Sequence, residues 1–162
     1  MEVWNGRAKI GVEIAGSGPP IVYLHPAAGL AWDPFLFRLA AHRTVVAPAF
    51  FGTSTIDRQA IYAIDDVWDT VLAYEEAFQK LGLERPAMIG QSFGGMLAAE
   101  IAATFPALVS KLVLLDPAGL WRDDAPVFNW MTSLPAELMG RLFHDPTCAG
   151  AQAMFTPPED PN

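Results

Sequence analysis

The stretch that most constrains this chain is five residues long, Gly90-Gln91-Ser92-Phe93-Gly94. It sits between Ala87-Met88-Ile89, which reads as a buried strand, and a glycine- and alanine-rich helix expected from about 93 to 105 and closed by Pro106. A sharp strand-to-helix turn can push a serine oxygen clear of the backbone, at the cost of strained dihedrals on that serine. The positions two before and two after it must be small, because strand and helix then approach closely. Gly90 and Gly94 meet that need, and Gly95 adds room. The helix N-terminus also places amide donors and positive partial charge beside the serine oxygen. Ser92 therefore reads as a nucleophile. A tight turn with an incidental serine is the plainer reading of the same residues.

The flanking sequence repeats the strand–helix alternation. Residues 8–14 alternate enough for a half-exposed strand, broken by Gly16-Ser17-Gly18-Pro19-Pro20. Ile21-Val22-Tyr23-Leu24 reads as a short buried strand stopping at His25-Pro26, and Thr44-Val45-Val46-Ala47 as another ended by Pro48. Between them, Trp32, Phe35, Leu36 and Leu39 share one face of a helix over 32–41. The clearest helix is expected at about 65–81, opened by Asp65 and Asp66 and stopped by Gly82, with Val67, Val71, Tyr74, Phe78 and Leu81 at helical spacing. Lys111-Leu112-Val113-Leu114-Leu115 is a further strand, ending at Asp116-Pro117. Short apolar strands alternating with helices imply an α/β fold, a mostly parallel sheet covered by helices on both faces. After Asp116 the pattern changes. Residues 1–122 form the expected core, and 123–162, proline- and methionine-rich with helical fragments such as 134–143, read as the beginning of a helical cap.

Composition removes whole classes of function. One domain suits 162 residues, and 52% hydrophobic against 17% charged residues excludes a disordered chain. A net charge of −8 argues against a phosphate-tracking nucleic-acid binder. Cys148 stands alone, so no internal disulfide or cysteine-rich metal site can form. The start lacks a signal-peptide pattern, and no apolar run approaches the roughly 18 residues of a spanning helix. A cytoplasmic protein with no membrane partner is the expectation. Asp65, Asp66 and Asp69 read as a solvated helix start and not a metal site, Asp123-Asp124 as a surface pair, and the glycine-rich pieces match neither phosphate-binding motif. Neither a metal nor a cofactor is called for.

The order Leu24-His25-Pro26-Ala27-Ala28-Gly29 after one strand, Gly90-Gln91-Ser92-Phe93-Gly94-Gly95 after another and Leu112-Val113-Leu114-Leu115-Asp116-Pro117 after the next resembles the α/β-hydrolase fold family over about residues 8–120. The resemblance implies the α/β-hydrolase fold without its C-terminal strands. It also implies an oxyanion hole formed by the amides of Ala27 and Phe93. Pro26 stands where the family usually has glycine, and Ala49 where it often has an Asp-bearing loop. Phe50 and Phe51 read equally as pocket lining or core.

A serine nucleophile needs a base, normally a histidine held by a carboxylate. His25 reads as a buried hydrogen-bonding residue that fixes the oxyanion loop. His144 reads as a surface histidine, with a catalytic role the lesser alternative. Asp116 reads as a strand-end turn residue, although some family members place their acid there. The expectation is a serine hydrolase acting on an ester, or on a related acyl or carbon–carbon bond, of a small organic substrate, truncated before its acid and histidine. Serine at the elbow argues against the branches that use a carboxylate nucleophile. The rival is a non-catalytic binding or interaction module. In either case 111–115 is expected to be an unprotected sheet edge through which copies could associate.

Overall fold

Residues such as Val22 and Met88 sit in runs too short for a helix and too apolar for a surface, and they form adjacent strands at the centre of a sheet. The computed structural model describes residues 1–156 and divides into two compact units, Met1–Leu120 and a second beginning at Trp121. In the first unit, β1 (Glu2–Val3) and β2 (Ala8–Lys9) form a small antiparallel pair. The main sheet contains β3 (Val12–Ala15), β4 (Pro20–Leu24), β5 (Thr44–Pro48), β6 (Ala87–Gln91) and β7 (Lys111–Leu115), in the order β3-β5-β4-β6-β7. β5, β4, β6 and β7 run parallel, and β3 pairs antiparallel with β5. This is the α/β-hydrolase arrangement of a mostly parallel sheet flanked by helices.

Side chains alternate across the sheet because the strand period is two. Val22, Leu24 and Met88 face α2 (Val67–Lys80) and α3 (Phe93–Thr104), packing with Val71, Tyr74, Phe78, Leu97 and Ile101. Ile21, Tyr23, Val45, Ala47 and Ile89 face the other way and enclose Leu36 of α1 (Pro34–Ala40). Local chemistry sets the helix starts. Asp33 accepts from the Leu36 N–H at 2.9 Å, and Asp66 from the Asp69 N–H at 3.0 Å, each satisfying an amide that has no intrahelical partner. Asp65, expected inside the helix, stands one residue before that cap, and its N–H donates to Asp69 Oδ2 at 2.9 Å.

The strand expected at 8–14 is divided. Residues 8–9 pair with 2–3 and residues 12–15 with β5, and the break falls at Ile10-Gly11. A Cβ on Gly11 would stand 2.9 Å from Ser54 Oγ, so a side chain there would require Ser54 to shift. The β1–β2 turn uses left-handed backbone at Trp4 (φ 58°), Asn5 (φ 53°) and Gly6 (φ 78°). The Glu76 carboxylate of α2 holds it, accepting the Trp4 and Asn5 amides at 2.8 and 3.3 Å. The Lys80 ammonium, 2.6 Å from that carboxylate, and the two amides keep Glu76 below the usual carboxylate range.

The second unit contains a 3-10 turn (Trp130–Thr132), α4 (Pro135–Leu142) and α5 (Ala149–Phe155), and no strand among the described residues. The Arg141 guanidinium lies 4.6 Å over the Phe128 ring. α5, which has no clear periodicity in sequence, is capped by Cys148, whose Sγ accepts from the Ala151 N–H at 3.5 Å. The expected end of the cap, residues 157–162, lies outside the described residues. No helix among those described is long and apolar enough to cross a membrane.

Candidate active site

Ser92 occupies the turn between β6 and α3 with φ 51° and ψ −116°, a conformation that costs a non-glycine residue roughly 1–3 kcal/mol. Its backbone is clamped on both sides. The Ser92 N–H donates to the Leu115 carbonyl at 2.9 Å, and its own carbonyl accepts from Ala118 at 2.9 Å and Met96 at 3.1 Å. The strain is thus held by bonds from the loop after β7 and from the first turn of α3.

The glycines around Ser92 are required by close approach. A Cβ on Gly94 would sit 2.5 Å from the His25 carbonyl oxygen and closer still to the Leu24 carbonyl. On Gly90 it would meet Ala98 Cβ and Gly95 Cα at 2.7 Å, and on Gly95 it would meet Pro117 Cβ at 2.8 Å. Gly95 is therefore a third required position, facing the loop after β7.

Ala27 and Phe93 come together at one cavity of about 390 Å³, whose other walls are Phe50, Phe51, Gly52, Thr53 and Ile61. Phe93 is the first residue of α3, where backbone amides lack intrahelical partners and the helix dipole is positive. Among the described residues, neither the Ala27 nor the Phe93 N–H has an acceptor. The Pro26 substitution is accommodated, because Pro26 contributes its carbonyl, which accepts from the Gly29 N–H at 3.0 Å.

His25 is buried, and both ring nitrogens are engaged. Nε2 accepts the Phe50 N–H at 2.9 Å, which leaves Nδ1 as donor to the Pro26 carbonyl at 2.7 Å. Burial pushes its pKa below the ordinary histidine value, partly offset by the bond to Pro26. The ring is a neutral strut joining the loop after β4 to the loop after β5. The two phenylalanines combine the alternatives open at the sequence level. Both line the cavity, but Phe51 is also buried in the core, stacked on Tyr74 at 6.1 Å, whereas Phe50 is partly exposed and edge-on to Phe93 at 4.9 Å.

The other candidates fall elsewhere. His42 precedes β5, at the end of the sheet opposite Ser92, and His144 is exposed in the second unit. Asp116 is exposed at the end of β7 with φ 44°. Thr53, Gly52 and Ile61 of the 3-10 turn Ala60–Ala63 were not foreseen as pocket walls. The pair of turn residues Gly52-Thr53 after Phe51 is the one sequence signal that could have marked that wall.

The sequence model of the Alpha/beta hydrolase family matches residues 21–161. An uncharacterized protein of Mycobacterium tuberculosis is 34% identical over 129 residues, covering 75% of this chain and 36% of the relative. The 2-hydroxy-6-oxo-2,4-heptadienoate hydrolase of Pseudomonas putida is 31% identical over 124 residues, 73% of this chain and 44% of the relative. Among solved structures, a membrane phospholipase A described as a bacterial virulence factor is 28% identical with a TM-score of 0.64, over 76% of this chain and 40% of the other. A meta-cleavage product hydrolase from Pseudomonas fluorescens shares the fold at 24% identity, with a TM-score of 0.59 over 70% and 43%. The chain spans about half the length of these relatives, or less.

Proposed function

Because the chain belongs to the alpha/beta hydrolase family, we propose that it carries the nucleophile half of a serine hydrolase acting on an ester, or on a related acyl or carbon–carbon bond, of a small organic substrate. One observation carries this reading. A serine held at φ 51° immediately precedes Phe93, which lines one cavity together with Ala27, and the amides of both these residues lack acceptors among the described residues. Ser92 Oγ attacks the acyl carbon, and its proton passes through a base to the leaving group. The amides of Ala27 and Phe93 receive the negative oxygen of the tetrahedral intermediate. Water then releases the acid and regenerates the serine.

In this reading the base and the carboxylate that orients it are supplied from outside residues 1–162. Supporting this, His25 has no free nitrogen and the homologous hydrolases are about twice as long as the matched region. The isolated chain is then an inefficient catalyst, since loss of one triad member costs several orders of magnitude in rate. The same full engagement of His25 favours one competing reading, a binding module that keeps the pocket without turnover.

Two measurements separate them. An alkylboronic acid forms a tetrahedral adduct with a serine seated beside an oxyanion hole, and boron NMR detects it. We expect a tetrahedral signal with the wild-type chain and none with Ser92→Ala; its absence from the wild type would favour the binding module. Turnover of p-nitrophenyl butyrate is expected to show no Ser92 dependence. A clear Ser92-dependent rate would place the base within the chain.

A further inference from the structure

A second cavity, about 340 Å³, shares Thr53 with the one lined by Ala27 and Phe93 and differs from it chemically. It is lined by Gly11, by Val12 and Glu13 of the edge strand β3, by Leu30 and Ala49, and by the loop from Thr53 to Ile56. Thr53 lines both cavities, so the two meet at that residue. The Ala27–Phe93 cavity is walled mainly by phenylalanine and isoleucine, whereas this one presents a carboxylate and three hydroxyl-bearing residues. No lysine, arginine or histidine lines it.

Glu13 is only half engaged. Its Oε2 accepts from the Trp32 indole N–H, and Oε1 has no partner among the described residues. The indole bond occupies one oxygen of this exposed carboxylate and leaves the other without a cationic partner among the described residues. Asp57, next to the lining residue Ile56, adds a second negative charge and accepts only backbone amides, those of Lys9 and Gln59. Lys9, the ammonium carried by that stretch of backbone, is paired with Glu2 at 3.4 Å.

We propose that this cavity is a subsite for the positively charged end of the substrate, an amine- or ammonium-bearing group, with Glu13 as its counter-charge. The proposal rests on the reading of Ser92 and Phe93 as the reacting centre, because it assigns the apolar cavity to one end of the substrate and the acidic cavity to the other. It makes Glu13 a specificity-determining residue. It also separates the substrate class from anionic compounds, whose carboxylate the acidic wall would repel.

The test measures binding, so it does not depend on turnover. Butyrylcholine and its uncharged isostere 3,3-dimethylbutyl butyrate have nearly the same shape and differ in one charge. Each is titrated calorimetrically into the wild-type chain and into Glu13→Gln, which keeps an acceptor for Trp32 and removes the charge. The cationic ester is expected to bind about three- to five-fold tighter than the neutral one, the modest gain of a solvent-reached ion pair. That preference is expected to shrink as salt is raised and to vanish in Glu13→Gln, while the neutral ester binds both proteins equally and so reports that the variant is folded. Equal binding of the two esters to the wild type would overturn the proposal and leave the Ser92 reading intact. A preference that persists in Glu13→Gln would overturn the role of Glu13. Binding of neither ester would remove the Ser92 pocket together with the proposal.

Discussion

β6 and β7 are neighbouring strands of five residues each, both apolar, paired in register with Met88 opposite Leu112 and Ile89 opposite Val113. Their surroundings are opposite. Met88 and Ile89 are 0% and 6% exposed, whereas Leu112 and Val113 are 37% and 47% exposed. β6 has a strand on each side, and β7 is the edge of the sheet. The same residue types thus yield a buried strand or a bare one according to what stands next to them. A run of leucines states what a strand is suited to, and its neighbours decide whether that suitability is met.

The sharpest way to break the contrast is at the β6–α3 turn. Gly94→Val drives a branched side chain into the Leu24 and His25 carbonyls, and backbone cannot yield as a flexible side chain can. We expect no cooperative thermal transition for this variant by circular dichroism. A normal transition would show that the turn is less constrained than its geometry states. The register pair comes next. Met88→Ala should cost about 3 kcal/mol in urea unfolding, as for other fully buried large-to-small changes, and Leu112→Ala about 1 kcal/mol or less, because much of its surface is already wet. Equal costs would mean that β7 is covered in solution.

Such a cover could be a second copy of the chain. β7 carries one charge, Lys111, and presents an unpaired ladder edge with apolar side chains, and we propose that two copies associate through it. Size-exclusion chromatography at increasing concentration should show a dimer that Val113→Lys abolishes. A monomer at every concentration, with the amides of 111–115 protected from exchange, would refute this. The smallest effect concerns His25. Its folded pKa lies below the unfolded value of 6.5, so the unfolded chain takes up a proton that the folded chain resists. The stability that follows from the neutral ring is complete above that value and declines as pH falls below it towards the folded pKa. Urea unfolding between neutral and mildly acidic pH should show this loss, and His25→Asn should flatten it.

What could be read from the residues follows the same division between local and borrowed constraints. Ser92, Gly90 and Gly94 were legible because close approach of a strand and a helix leaves a local signature of small residues. The parallel sheet was legible because each strand is an uninterrupted apolar run. The split at Ile10-Gly11 was not, since residues 8–9 and 12–15 take different partners, β1 and β5, and the second lies thirty or more positions away in the chain. β1 is two residues long, too short for any period, and it depends on Glu76 of α2 to hold its turn. Ile61 and Thr53 reach the cavity from loops, where spacing carries no information. Phe50 and Phe51 are adjacent and identical, both line the cavity, and only the fold buries Phe51 and leaves Phe50 partly exposed.

The clamp on Ser92 ties the strained β6–α3 turn to the least sheltered part of the sheet. Its amide is anchored on the carbonyl of Leu115 and its carbonyl on the amide of Ala118, both at the exit of the edge strand. Edge strands open more readily than interior ones. When β7 frays, those two bonds are the ones released, and a serine at φ 51° is then held only from the α3 side, by the Met96 N–H on its carbonyl. The persistence of the strained turn is therefore coupled to the breathing of β7, and whatever quiets that edge lengthens the time during which Ser92 keeps its left-handed backbone.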